Sequence, residues 1–245
     1  MLKHFKLVET IARVKFSLDQ DGFEIRESIL GSTVIEELRR VVGKLPVRHR
    51  GGARNLLHDS PAISELAGVG PVKAIAESVL GADCFPVRGL FFDKPPTANW
   101  KVPWHQDLTI AVAGRIETPG FTGWSVKDGV PHVQPQAEIL ERMVTLRLQL
   151  DDCDPDNGPL RVLPGSHRHG RLSATEISQW RQTTPEFICC GAAGSVLVIN
   201  PLLLHASSRA RLPSHRRVIH IEYANCCLPG GLRWHDGESR RNLAH

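Results

Sequence analysis

Several absences narrow this chain before any motif is read. No segment offers the roughly eighteen uncharged apolar residues that a membrane-spanning helix requires. The opening run Met1-Leu-Lys-His-Phe-Lys-Leu-Val-Glu-Thr10 places charges inside any would-be apolar core, so neither export nor membrane insertion is expected. The six cysteines include two adjacent pairs, Cys189-Cys190 and Cys226-Cys227, but no Cys-x-x-Cys zinc spacing, and they are too sparse for a secreted disulfide scaffold. Reduced thiols in the cytoplasm are expected. Nothing repeats at a fixed period, which excludes a solenoid. The formal charge of +4 is small for 245 residues. The basic stretch from Arg209 to Arg217 reads as a solvated loop, so no nucleic-acid partner is expected.

What the chain does have is turn-forming residues between short apolar runs. Seventeen Pro and twenty-one Gly spread in this way favour strands and turns over a helical architecture. A hydrophobic content of 41% suffices for one core. The expectation is a single domain over residues 1–245, mainly β with flanking helices, with its core at about 20–225 and an irregular tail at 226–245. One helix is expected over residues 33–45. Ser60-Pro61 supplies a cap and a first-turn proline for a second, from Ala62 to Leu80, with a break between Gly68 and Pro71. Ser173-Ala-Thr-Glu176 is a capping box that starts a short helix through Trp180.

The run Met143-Val-Thr-Leu-Arg-Leu-Gln-Leu150 alternates as a strand with one polar and one apolar face. If Val144, Leu146, Leu148 and Leu150 pack outward on helices, then Thr145, Arg147 and Gln149 look into a pocket and become candidates for ligand binding. An ordinary solvent-facing strand side is the alternative. Residues 111–141 hold Gly114, Pro119, Gly120, Gly123, Gly129, Pro131 and Pro135 and few regular signals. They read as a long loop at a site mouth, and Trp124 and His132 could close over a substrate.

The residues that carry chemistry begin at Val102-Pro-Trp-His105-Gln-Asp107. Residues i and i+2 of a strand point to one face, so an imidazole and a carboxylate converge there. Pro103 and Trp104 suit a strand entrance. His205 follows the apolar run Gly194 to Leu204, which breaks at Asn200-Pro201, and an imidazole ending a buried strand needs a partner; a hydrogen-bonded core histidine is the bland reading. Two imidazoles and one carboxylate hold one face of an octahedral ferrous iron and leave positions open for substrates. Arg216 opens Arg216-Arg-Val-Ile-His-Ile-Glu-Tyr-Ala224, a strand that puts Arg216, Val218, His220 and Glu222 on one face. A guanidinium directed into a barrel is costly unless it meets an anion, and its planar fork matches a carboxylate. The far carboxylate of 2-oxoglutarate fits that description. An internal salt bridge, or Arg217 pointing inward by a one-residue shift, is the competing arrangement.

These residues resemble the phytanoyl-CoA dioxygenase family. The resemblance covers roughly residues 20–225 and rests on Asp21-Gly-Phe23, His105-x-Asp107, Asn157-Gly-Pro-Leu-Arg-Val-Leu-Pro-Gly-Ser-His167, His205 and Arg216. It implies a double-stranded β-helix, or cupin-like jelly roll, with iron at one mouth. It further implies His105, Asp107 and His205 as iron ligands and Arg216 as anchor of 2-oxoglutarate, with dioxygen as the other co-substrate. Lys94, in Phe91-Phe-Asp-Lys94-Pro-Pro96, and Ser207 are suggested as further contacts to the co-substrate, although a solvated lysine and a strand-end turn would leave the same sequence. Thr145 and Gln149 join them as co-substrate candidates, and Arg147, Trp124 and His132 are candidates for the substrate. Halogenating members of the family replace the carboxylate ligand by a small residue; Asp107 is present, which disfavours that chemistry.

The resulting expectation is hydroxylation of a small organic or acyl molecule, coupled to decarboxylation of 2-oxoglutarate to succinate. A zinc or manganese hydrolase or isomerase could use the same ligands, and a non-catalytic binding module could keep the same barrel. Arg216 discriminates against the first and the full ligand set against the second. The substrate's identity and the oligomeric state are not written in the sequence.

Overall fold

The computed structural model describes residues 15–45, 52–95, 97, 99–212 and 214–237. Along them run β1 (Phe23–Arg26), β2 (Gly52–Ala53), β3 (Phe85–Phe92), β4 (Val102–His105), β5 (Ile110–Ala111), β6 (Thr122–Lys127) and β7 (Val130–Gln134). Next come β8 (Met143–Gln149), β9 (Leu160–Val162), β10 (Phe187–Cys189), β11 (Val196–Ile199), β12 (His205–Ser207) and β13 (Val218–Ala224). They assemble into a six-stranded sheet in the order β1-β11-β8-β13-β3-β2, a four-stranded sheet β10-β9-β12-β4 and a three-stranded sheet β5-β7-β6. The first two face each other: Phe23, Leu197 and Ile199 of the larger sheet share one core with Leu160 and Val162 of the smaller. This is the jelly roll that the family resemblance implies.

Alternation along β8 and β13 decides what faces the barrel. In register, Val218 sits opposite Gln149, His220 opposite Arg147 and Glu222 opposite Thr145, so these six share the inward face. Leu146, Leu148, Ile219 and Ile221 are fully buried on the outward face, in a core with Ile35, Leu38 and Ile63 from the flanking helices. Each such aliphatic side chain contributes roughly 1.5–3 kcal/mol through burial. Tyr223 adds a directional tie, its hydroxyl donating to the Ala67 carbonyl at 3.0 Å.

The helices follow their signals closely. One spans Ser32–Gly43. Ser60 caps a helix at Pro61–Gly68, accepting from the Ile63 N–H, and Val69 is extended before a further helix at Gly70–Leu80, which is the expected break. Ser173 and Glu176 form both bonds of the capping box, and that helix continues past Trp180 to Thr183.

Residues 111–141 correct the expectation of an irregular loop. They contain β6 and β7, a hairpin closed by Asp128-Gly129, and a short helix at Ala137–Leu140. Asp-Gly is a favoured dipeptide of two-residue hairpin turns, a signal the other glycines and prolines obscured. The tail packs on the body of the domain. Its path after Cys226 is irregular, yet Leu228, Leu232 and Trp234 are buried, and the Trp234 indole donates to the Cys226 carbonyl at 2.8 Å. Residues 238–245 and the first fourteen residues, which include the charged opening run, lie outside the described residues.

Two of the sequence motifs turn out to meet each other, away from the metal site. His167 Nε2 lies 3.1 Å from the Asp19 carbonyl, and its ring packs on Gly22. A Cβ at Gly22 would fall 2.6 Å from His167 Nδ1, and the residue has φ +82°, so only glycine serves both needs.

Candidate metal centre and its cavity

The metal-binding set forms where the smaller sheet ends. His205 and His105 are direct partners across β12 and β4. β4 lies at the sheet edge, which is why Pro103 is tolerated inside it. Two boundaries differ from expectation: β4 stops at His105, so Asp107 lies just beyond the strand, and His205 opens β12 rather than ending the preceding run. Asp107 is fixed instead by its N–H donating to the Pro201 carbonyl at 2.9 Å. Between the two ligands, the buried Gln106 side chain points away. It donates to the carbonyls of Gly170 and Leu202 at 2.7 Å each and accepts from the Leu172 N–H at 2.8 Å.

One ligand atom from each of His105, Asp107 and His205 lies within 4.8 Å of the others. Nε2 of His105 is 3.6 Å from Asp107 Oδ1, and Nε2 of His205 is 3.5 Å from Asp107 Oδ2. Two ligands of one cation bonded at about 2.1 Å stand up to about 4.2 Å apart, and the contact of each imidazole with Asp107 falls inside that span. Each ring is oriented by its other nitrogen: Nδ1 of His105 lies 2.8 Å from the Pro103 carbonyl and Nδ1 of His205 lies 2.9 Å from that of Leu203. Such backbone tethers fix the tautomer and leave Nε2 for a metal. Burial pushes His205 down to about 4, so it is a neutral donor at pH 7. Burial opposes ionisation of Asp107, but the two imidazoles hold its carboxyl well below the usual range. Burial likewise opposes a proton on His105, yet attraction to Asp107 raises it overall. The donor set suits a divalent metal.

A cavity of about 270 Å³ opens beside this set. Arg216, Lys94 and Arg147 line one end of it, with Ser207. The competing register for the arginines is settled by Arg217, which points outward and pairs with Asp151 at 2.6 Å. Arg216 precedes β13, is 5% exposed, and donates from Nη1 to the Gly158 carbonyl. Gly158 is the glycine of the Asn-Gly-Pro motif; it has φ +72°, and a Cβ there would stand 2.8 Å from the Ser208 carbonyl. Lys94 is 2% exposed and donates to Ser207 Oγ at 2.8 Å and the Ser208 carbonyl at 2.9 Å. Arg147 Nη1 lies 3.3 Å from His220 Nδ1.

Among the described residues, no carboxylate lies within ion-pair distance of any of these three cations. Burial first, and then the neighbouring Arg216 and Arg147, push Lys94 down to about 7. Burial and then Arg216 push Arg147 down to about 10. The Nε atoms of Arg147 and Arg216 are buried without a hydrogen-bond partner. Burying an unpaired charge costs several kcal/mol, a large share of a domain's 5–15 kcal/mol stability. A compact dianion would offset that cost, and 2-oxoglutarate has the right charge for it.

The other expected contacts fall elsewhere. Thr145 and Gln149 share the inward face but do not line this cavity, and the Gln149 Oε1 is buried without a partner. Trp124 packs against the core of the three-stranded sheet, with the Arg115 guanidinium 5.3 Å from its ring. His132 is buried in β7, its Nδ1 2.9 Å from the Val130 carbonyl. Neither lines the cavity beside the metal set. Conversely, Arg54, Arg88, Lys127, His220 and Glu222 line the cavity and were not read as site residues. His220 and Glu222 could have been: alternation had already put them on the face of Arg216.

Such a jelly roll, with a two-histidine, one-carboxylate set at its mouth and a cationic socket beside it, defines an oxygenase of the non-haem iron, 2-oxoglutarate-dependent class. The chain belongs to the phytanoyl-CoA dioxygenase family, whose model matches residues 47–218. It is 24% identical over 250 residues to an ectoine dioxygenase from Nocardia farcinica, spanning 84% of this chain and 75% of that protein. It is 25% identical over 239 residues to an L-proline trans-4-hydroxylase from Streptomyces griseoviridis, spanning 84% and 78%. The fold matches the crystal structure of EctD from S. alaskensis with 2-oxoglutarate and 5-hydroxyectoine at a TM-score of 0.66 and 21% identity, covering 84% of this chain and 73% of that one.

Proposed function

We propose that the protein hydroxylates a small organic substrate, with His105, Asp107 and His205 holding iron(II) and Arg216 and Lys94 holding the far carboxylate of 2-oxoglutarate. The observation that carries this reading is the placement of three buried cations without carboxylate partners in the same cavity as the two-histidine, one-carboxylate set. Bound iron with 2-oxoglutarate and dioxygen supplies the oxidising power, inserting one oxygen atom into a substrate C–H bond as the keto acid becomes succinate and carbon dioxide.

The protein's own part is positioning. The carbonyls of Pro103 and Leu203 aim the two imidazoles, and Asp107 contributes the negative charge. Arg216, itself aimed by the Gly158 carbonyl, orients the co-substrate through a planar fork. Lys94 adds a point charge steered by Ser207. Leu90 and Phe92 on β3 line the same space and keep it partly dry. The size of the cavity favours a small molecule over a long acyl chain.

A reducing, cytoplasmic setting is supported by the six cysteines, all free thiols. No helix among the described residues is long and apolar enough to cross a membrane. A nucleic-acid surface at residues 209–217 is disfavoured, since Arg211 and Arg217 pair with Asp156 and Asp151. The test is to load the protein with iron(II), supply 2-oxoglutarate and oxygen, and measure succinate. Release that depends on iron and is lost in Asp107→Ala supports the reading. Equal release in metal-depleted buffer sinks it.

A further inference from the structure

The cavity has a second basic end that the metal and the co-substrate leave unused. Arg88 on β3 stands opposite Glu222 on β13, its Nη1 3.2 Å from Glu222 Oε1 and 3.3 Å from the Thr109 carbonyl. Lys127, the last residue of β6, donates to Thr109 Oγ1 at 3.1 Å. Arg54 lies 3.6 Å from Asp128 Oδ2. All three line the cavity that holds His105, Asp107 and His205. Burial, and next the proximity of Arg88, hold both Arg54 and Lys127 below their usual values, so the three cations feel one another.

This end is separate from the Arg216 end. Glu222 follows Arg216 by six residues, about 20 Å along an extended chain. His220 lies between them on the same strand, and Asp107 exerts its charge on Lys127 at this end and on Arg147 at the other. The metal set is therefore flanked by cations on two sides.

Resting on the oxygenase reading above, we infer that the primary substrate carries a carboxylate, bound by Arg88 and Lys127 with Arg54 beside them. Glu222 is engaged by Arg88 and lies 3.4 Å from His220 Nε2, and Asp128 is engaged by Arg54. With Asp107 committed to the metal, three cations face two carboxylates, and the single surplus positive charge matches one monoanionic group better than a phosphate dianion. Lys127 has no carboxylate within ion-pair distance among the described residues. Leu90 and Phe92, which alternate with Arg88 along β3, line the same cavity and offer an apolar wall for the substrate's carbon skeleton. The β6–β7 hairpin contributes Lys127 from its β6 arm, so its role here is to carry a charge.

The test uses protein loaded with iron(II) and 2-oxoglutarate and a panel of α-amino acids and short carboxylic acids, each paired with its primary amide, plus phosphomonoesters of similar size. Binding is read by thermal stabilisation and turnover by succinate release. The expected result is at least one acid that stimulates succinate release and binds about ten- to hundredfold more tightly than its amide. Arg88→Gln and, separately, Lys127→Met reduce that preference, whereas Arg216→Lys weakens 2-oxoglutarate binding and leaves the acid-to-amide ratio unchanged. Lys127→Met leaves the Arg88–Glu222 pair intact, so its result stands even if Arg88→Gln fails to fold. Equal binding of acids and amides, tighter binding of phosphomonoesters, no binding by any acid, or an unchanged preference in Lys127→Met would overturn the inference. An acid that binds with the stated preference while 2-oxoglutarate is neither bound nor consumed would instead sink the oxygenase reading and spare this one.

Discussion

The two faces of β8 and β13 are built from the same strands and do opposite work. Outward, Leu146, Leu148, Ile219 and Ile221 are fully buried in the core formed with the helices. Inward, Arg147, His220 and Glu222 are almost as buried but charged or polar, and they line the cavity. Depth alone does not separate core from site; the character of what is buried does. Aliphatic burial on one face offsets the cost of holding cations on the other, so stability and chemistry are divided between alternate residues of one strand.

The sharpest way to break this division is Leu148→Ala, which should cost about 2–5 kcal/mol in denaturant unfolding while leaving the 2-oxoglutarate affinity of the folded protein unchanged. One residue earlier, Arg147→Met should do the reverse. Replacing an unpaired buried cation by an apolar side chain of similar length should leave stability equal or higher, while co-substrate binding measured by calorimetry weakens. A stability loss in Arg147→Met as large as that of Leu148→Ala would show that the two faces are not separable.

At the Arg216 end, Arg216→Lys keeps the charge and removes the fork. Calorimetry should show a co-substrate affinity about ten- to hundredfold weaker, the value of a charge-assisted hydrogen bond. The smallest expected effect is a pH dependence at Lys94. Burial, Arg216 and Arg147 hold its ammonium near 7, below the usual 10.5. Between those values the unfolded chain binds more protons than the folded one, so this residue makes stability of the ligand-free protein rise with pH across that window. A bound dianion favours the charged form. Co-substrate binding therefore takes up a proton above pH 7 and should weaken as pH rises, by at most about tenfold per pH unit. Lys94→Met should flatten both slopes, and slopes that persist in that variant would assign them to another group.

The inward and outward faces were also unequally legible. Strict alternation over Met143–Leu150 is a period-two signal that survives without neighbours, so β8 and the direction of Arg147 could be read directly. The spacing His105-x-Asp107 was readable for the same reason, although the strand ends between the two ligands. The three-stranded sheet was not, because β6 is mostly exposed and β7 contains Pro131, and neither shows clean alternation. The second basic end was hidden for a different reason. Arg54, Arg88, Lys127 and Glu222 come from four separate segments, each with an ordinary charged residue, and only tertiary pairing assembles them.

One small feature sets how the metal site behaves before anything binds. Both ligand histidines lie close, through Nδ1, to the carbonyl two residues earlier in their own chain, so the aim of each ring is inherited from local backbone rather than from the cation. A socket of that kind is ready when the ion arrives. Occupancy then follows supply and competition among divalent ions, with little refolding to slow exchange.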